Sequence, residues 1–214
     1  MRFARKRQAL IAAALRMNSL GLNQGKSGNL SLRVCDGLLI TPSGMDYDRL
    51  VPADIVFMTA DGQVPPGQRK PSSEWRFHVD ILNARPEAGA IVHAHALHCT
   101  AIACLRRPIP AFHYMVAVAG GDTIRCADYA TFGTQDLSAA ALAALEGRTA
   151  CLLANHGMIA LGATLDAALA LAVEVETLAA MYGQALQIGD PVILLAEEMR
   201  IILDKFRTYG RQEV

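Results

Sequence analysis

The stretch NLSLRVCDGLLITPSG, residues 29 to 44, constrains the fold more than any other part of this chain. Two apolar-alternating runs flank Asp36-Gly37, a pair suited to the positive backbone angles of a two-strand turn, so the segment predicts a β-hairpin. A hairpin commits at least part of the sheet to antiparallel pairing, because parallel strands need a long crossover between them. DIVFMTADGQV, residues 54 to 64, repeats the pattern around Asp61-Gly62 and predicts a second hairpin.

Helical spacing surrounds these strands. The first 21 residues, MRFARKRQALIAAALRMNSLG, read as an amphipathic helix that stops at Gly21. SSEWRFHVDILNARP places Trp75, Val79 and Leu82 on one face of a helix capped by Ser72 or Ser73 and closed before Pro86. AIVHAH then reads as a strand, Leu97 to Leu105 as a short helix, and RRPIPAFHYMVAVAGG as strand or loop. An alanine-rich helix to Leu145, strands in TACLLANHG and MIALG, a long helix from Thr164 to Leu186 and a last one from Pro191 into LDKFRTYG complete the chain. With no internal repeat and no dividing linker, residues 1–214 are expected to form one α/β domain with a partly antiparallel sheet.

Charge narrows the function. Twenty basic residues balance twenty acidic ones, leaving nothing to hold a polyanion, so nucleic acid is not an expected partner. No apolar run approaches the roughly 20 residues that cross a bilayer, and the amino-terminal segment lacks a signal-peptide core, which predicts a cytoplasmic protein without a membrane partner. The five cysteines are odd in number and scattered without a CxxC pair, as in a reducing compartment.

The histidines carry the chemistry. On a strand, His93 and His95 of HAH point the same way, roughly 7 Å apart, so two imidazoles can converge on one ion. His98 follows in a helix and is less constrained. His156 of LLANHGMI stands at the end of an apolar run before Gly157, where a strand delivers a side chain to the sheet edge. Three neutral imidazoles with an open position suit a catalytic divalent metal, usually zinc. The competing explanation is a set of ordinary hydrogen-bonded histidines, and HxH alone does not decide between them.

Further features favour the metal. KSGN at 26–29, TPSG at 41–44 and PSSE at 71–74 offer backbone N–H groups beside hydroxyl and amide donors, which suit a phosphate. Glu74 sits in the first turn of a helix behind two such serines, and beside a metal it becomes a general base. Tyr114, in HYM, adds a phenolic donor.

These motifs, in this order, resemble those of the class II (metal-dependent) aldolases of the aldolase/adducin family: LGLNQGKSGNLSLR, LLITPSG, PSSEWRFH, HAHALHCTA, IPAFHYM, AGG, YATFGT, NHG and KFRTYG. The resemblance implies a three-layer α/β/α sandwich with a central, mainly antiparallel sheet, assembled as a homotetramer with sites at subunit interfaces. It implies Zn2+ on His93, His95 and His156, Glu74 as acid/base group, and Tyr114 from a neighbouring subunit as proton donor. Gly28, Asn29, Ser43, Gly44, Ser72 and Ser73 would hold the phosphate of a ketose 1-phosphate, with Phe132 and Tyr209 near the aldehyde end. The implied reaction is reversible retro-aldol cleavage to dihydroxyacetone phosphate and a small aldehyde. L-Fuculose 1-phosphate, 5-deoxyribulose 1-phosphate and 5-(methylthio)ribulose 1-phosphate are the implied substrates. Only four lysines are present, Lys6, Lys26, Lys70 and Lys205, none in an apolar strand, consistent with chemistry that needs no Schiff base. Lys26 stands where the family often has Thr, and it either adds a cation to the phosphate site or points to solvent. The alternatives are an epimerase, dehydratase or decarboxylase of the same fold, and a non-catalytic adducin-like scaffold without metal.

Overall fold

The computed structural model describes residues 1–208. In chain order the elements are α1 (Ala4–Ser19), β1 (Asn29–Val34), β2 (Gly37–Ile40), β3 (Val56–Thr59), α2 (Trp75–Ala84), β4 (Ala90–Ala94), α3 (Leu97–Cys104), β5 (Arg125–Ala127), α4 (Gln135–Ala144), β6 (Ala150–Leu153), β7 (Gly157–Gly162), α5 (Leu165–Ile188) and α6 (Ala196–Phe206). The strands form one seven-stranded sheet in the order β3-β2-β1-β4-β7-β6-β5. Every neighbouring pair is antiparallel except β5 with β6.

The sheet is covered on both faces, as a three-layer sandwich requires. On the central strand β4, Ala90, Val92 and Ala94 join a core with buried residues of α1, α3 and α5, while Ile91 joins a second core with those of α2 and α4. The period-2 alternation of a strand produces this division, and it also turns His93 toward the α2 side. There Phe77 and Ile81 of α2 are fully buried, each worth about 1.5–3 kcal/mol, which pins the helix whose N-cap is Glu74.

The Asp36-Gly37 hairpin forms with Ser31 opposite Ile40, and Gly37 has φ 150°. The second expected hairpin does not. Asp61-Gly62 makes a turn, with Gly62 N–H donating to the Thr59 carbonyl, but Pro65 and Pro66 follow and cannot donate to a ladder. The Gln68 side chain takes the place of a strand at the β3 edge, accepting from Phe57 N–H at 2.7 Å and donating to its carbonyl at 3.0 Å. The passage read as strand or loop is a 3-10 helix over Tyr114–Ala119, ended by Gly120 at φ 89°. Strand β5, three residues without apolar alternation, is not apparent in the sequence. The final helix starts at Ala196 rather than Pro191, because Leu194 N–H bonds the Ala111 carbonyl and holds the preceding segment extended. Among the described residues no helix is long and apolar enough to cross a membrane.

Candidate metal centre

Three elements deliver the histidines to one end of the sheet. His93 is fully buried on β4, opposite Asn29 of β1 and Ile159 of β7. His95 lies just past the strand, its N–H 3.4 Å from Asn23 Oδ1. His156 comes from the β6–β7 turn, where Asn155 adopts φ 54° and His156 N–H donates to the Leu153 carbonyl. That turn is fastened to the end of α3: Asn155 N–H donates to the Ala103 carbonyl, and Arg106 Nε donates to Asn155 Oδ1 at 2.8 Å. Gly157 permits the approach, since a Cβ there would fall 2.5 Å from the Ala94 carbonyl oxygen and 3.1 Å from His95 Cδ2.

The rings form an edge-to-face triangle, with centroids 5.1 Å apart for His93 and His95, 4.9 Å for His93 and His156, and 4.9 Å for His95 and His156. Glu74 completes the group, with Oε2 3.2 Å from His93 Nε2 and Oε1 3.1 Å from His156 Nε2. One ligand atom from each of the four residues lies within 4.8 Å of the others, a cluster that could hold a metal ion.

The donor chemistry fits such an ion. His93 Nε2, His95 Nε2 and Glu74 Oε1 are buried without a hydrogen-bond partner among the described residues, a costly state for atoms with no ligand to meet. The Met158 carbonyl accepts from His93 Nδ1–H at 2.9 Å, which leaves the Nε2 lone pair facing the cluster, the usual outer-shell device for a ligating histidine. Burial first, and then repulsion from His93 and His156, pushes the His95 imidazole down to about 4, so it is neutral at pH 7. For Glu74, burial pulls the carboxyl upward, but the attraction of His93 and His156 outweighs it and holds the group well below the usual carboxylate range. A neutral imidazole at His95 and an ionised carboxylate at Glu74 are forms that bind a borderline divalent cation.

Beside the cluster opens a cavity of about 310 Å³ whose walls include Ser27, Ser73, Glu74, His95, Tyr129, Phe132, Asn155 and His156. Of the expected substrate contacts, Ser73 and Phe132 line it. Ser72 is buried behind, its Oγ accepting from Glu74 N–H at 3.3 Å. The three polar loops are neighbours: Leu30 N–H donates to Thr41 Oγ1, Ser72 N–H to the Thr41 carbonyl, and Ser43 N–H to the Lys70 carbonyl. Gly44 turns the second loop at φ 69°. Gly28 has no room for a side chain, since a Cβ would sit 2.5 Å from the His93 carbonyl oxygen. Asn29 is buried and bonded to Glu74 and His78. Tyr114 is half exposed and lines a different cavity with Phe112, Leu194 and Ile202, so a single chain does not bring it to the cluster. Tyr209 lies outside the described residues. Lys26 makes an exposed ion pair with Asp46 at 3.7 Å.

Sequence reasoning missed several residues. Tyr129 and Asn155 line the cavity beside Ser27 of the expected KSGN loop, and Ser31 and His78 are buried behind Asn29. Two had a signal: Ser31 is two strand positions from Asn29 and His78 one helical turn from Glu74, so each shares a face with a candidate site residue.

A buried histidine–carboxylate cluster that could hold a metal ion, at one end of a mainly antiparallel sheet sandwiched by helices, defines an α/β/α protein with a candidate metal site. More narrowly, the chain belongs to the class II aldolase and adducin family, with residues 8–183 matching the domain described as Class II Aldolase and Adducin N-terminal domain. It is 62% identical over 204 residues, 95% of this chain and 92% of the relative, to a Rhodospirillum rubrum protein named 5-methylthioribulose-1-phosphate/5-deoxyribulose-1-phosphate aldolase. It is 53% identical over 202 residues, 94% of each chain, to an Escherichia coli O6:H1 protein named L-fuculose phosphate aldolase. A solved structure of an L-fuculose 1-phosphate aldolase superposes with a TM-score of 0.91 at 43% identity, covering 94% of this chain and 95% of its own.

Proposed function

We propose that this protein is a zinc-dependent ketose-1-phosphate aldolase, an aldehyde-lyase that reversibly cleaves its substrate between C3 and C4 to dihydroxyacetone phosphate and a small aldehyde. The observation that carries the reading is the convergence of His93, His95, His156 and Glu74 on one point beside an open cavity. The three histidines would hold the metal. A zinc ion there supplies Lewis-acid stabilisation for the negative charge that develops next to the substrate ketone.

The chain's own residues do the rest. Backbone N–H and hydroxyl groups of the three loops, including Gly28, Ser43, Gly44, Ser72 and Ser73, receive the phosphate and fix the reacting carbons against the centre. In the condensation direction Glu74 removes a C3 proton from dihydroxyacetone phosphate, and Tyr114 of a neighbouring subunit donates a proton to the aldehyde oxygen. Cleavage runs the same transfers in reverse. Tyr129, Ala130 and Phe132 offer the aldehyde end an apolar wall, which suits the methyl or methylthio terminus of 5-deoxyribulose or 5-(methylthio)ribulose 1-phosphate. The higher identity to the Rhodospirillum rubrum relative favours these over L-fuculose 1-phosphate.

A homotetramer would place Tyr114 at a neighbour's site, and Leu97, Tyr114 and Phe132, all large and exposed, are surfaces for such contacts. Five free cysteines suit a cytoplasmic enzyme. The test is release of dihydroxyacetone phosphate by zinc-loaded protein from each of the three sugar phosphates, with zinc content measured in parallel. Protein that carries zinc yet cleaves none of them refutes the aldolase reading, and protein that binds no metal returns the adducin-like scaffold. Mixing inactive Tyr114→Phe and Glu74→Gln chains tests shared sites, since activity must reappear in mixed tetramers.

A further inference from the structure

Behind Glu74 runs a row of buried polar side chains that no part of the proposed reaction uses. Ser31 Oγ is 2.7 Å from His78 Nδ1, His78 Nε2 is 2.5 Å from Asn29 Oδ1, and Asn29 Nδ2 donates to Glu74 Oε2 at 2.9 Å. Ser31 and His78 are wholly buried, and Asn29 and Glu74 nearly so. The alternation of β1 sets Ser31 and Asn29 on the face toward α2, and one turn of that helix separates Glu74 from His78.

The direction of each hydrogen bond follows from the one before it. Asn29 Nδ2 donates to Glu74 Oε2, so the amide presents its N–H side to Glu74 and its Oδ1 to His78. That oxygen only accepts, so His78 must carry its proton on Nε2. Burial pushes the His78 imidazole down to about 3, so the ring is neutral, and its Nδ1 can then only accept, from the Ser31 hydroxyl. One tautomer, one amide orientation and one hydroxyl orientation satisfy the whole row, and reversing any member leaves two acceptors or two donors facing each other in the core.

We infer that Ser31 and His78 are positioning residues which, through Asn29, hold the Glu74 carboxylate against the metal centre. The inference rests on the proposed metal-dependent activity, and it gives Asn29 a task other than phosphate binding: with its amide committed at both ends, Asn29 acts on the proton-transfer and metal step. Ser31→Ala removes the hydroxyl that donates to His78 Nδ1, lets the ring take the other tautomer, sets its bare Nε2 against Asn29 Oδ1, and frees the amide to turn.

The experiment uses full-length protein, wild type, Ser31→Ala and His78→Gln, with three readouts. Ring nitrogen resonances of His78 in isotope-labelled protein are expected to report the Nε2–H tautomer across the neutral pH range in wild type and a mixture in Ser31→Ala. Zinc titration of chelator-treated protein is expected to show affinity about 10-fold or more weaker in Ser31→Ala, the scale of outer-shell losses. Cleavage is expected to lose kcat with little change in KM for the sugar phosphate. His78→Gln, whose side-chain amide still offers a donor to Asn29 Oδ1, is expected to retain most of both. A Ser31→Ala protein with an unmoved tautomer and wild-type zinc affinity overturns the inference, as does an effect confined to KM. Wild-type protein that neither binds zinc nor releases dihydroxyacetone phosphate would instead defeat the aldolase reading, so the two failures are told apart.

Discussion

Gly157→Ala tests whether the centre depends on strand spacing as the structure requires. The added methyl would lie 2.5 Å from the Ala94 carbonyl oxygen, a backbone atom between His93 and His95, and 3.1 Å from His95 Cδ2. A carbon settles about 3.3 Å or more from such an oxygen, so β4 and β7 must part by roughly 0.8 Å at the point where both imidazoles leave the sheet. Overpacking of this kind costs about 1–3 kcal/mol. In a chain of this length that lowers Tm by roughly 2–12 °C, taking about 2–4 °C per kcal/mol. The effect on function should be larger, because a displacement near 1 Å at reacting groups costs about 100-fold in rate. Zinc affinity should fall about 10- to 100-fold. The assays are calorimetric zinc titration of chelator-treated protein, thermal melting of the same sample, and kcat/KM for release of dihydroxyacetone phosphate. Gly183→Ala is the control: this glycine lies within α5 and nothing stands within 4 Å of the added carbon. It should stabilise by about 0.5–1 kcal/mol and leave zinc affinity unchanged. A Gly157→Ala protein that melts early yet binds zinc and turns over as wild type would refute the coupling between strand spacing and the metal centre.

Glu74→Gln should still bind zinc through the three histidines, weakened at least as much as in Ser31→Ala, and lose cleavage at saturating zinc by about 100- to 10,000-fold, the range for a positioned acid/base group; near-normal turnover removes Glu74 from proton transfer. His78 makes stability fall with acid. Its folded-state value of about 3 lies below the ordinary 6.5, so between those values the unfolded chain binds more protons, and stability drops progressively as pH falls below about 6.5. At pH 5 this amounts to about 2 kcal/mol, from 1.5 pH units at 1.36 kcal/mol each. Denaturant unfolding of chelated protein at pH 7 and pH 5 should show at least that loss, to which the lowered His95 adds its own, and His78→Gln should reduce the total by about 2 kcal/mol; an equal loss in both proteins contradicts the assignment. Lys26→Thr deletes only an exposed ion pair, so turnover should persist with a modest change in phosphate affinity, and loss of metal binding would count against the placement of Lys26.

Strand period and turn chemistry account for what the sequence disclosed. The Asp36-Gly37 hairpin and the HAH spacing are local facts: each depends on residues one to eight apart, and each leaves a direct trace in the pattern. The second hairpin failed because Pro65 and Pro66 deny the preceding edge a partner, and Gln68 supplies one from eleven residues away. Strand β5 escaped notice because three edge residues have too few positions to show alternation, and β6 recruits them through parallel pairing.

The same distinction separates the ligands from the row that supports them. His93, His95 and Glu74 announce themselves by residue type and neighbourhood, whereas Ser31 and His78 are unremarkable until β1 and α2 are laid face to face. Their importance is a property of register: moving β1 by one residue would turn Ser31 and Asn29 to the opposite face, take both hydrogen bonds from buried His78 and remove the amide that holds Glu74 Oε2. The hairpin that fixes the β1 register therefore also fixes the orientation of the carboxylate at the centre. On this reasoning the segment from residue 29 to 44 governs the chemistry as well as the fold, because the strand that begins the hairpin is the strand from which Glu74 is held.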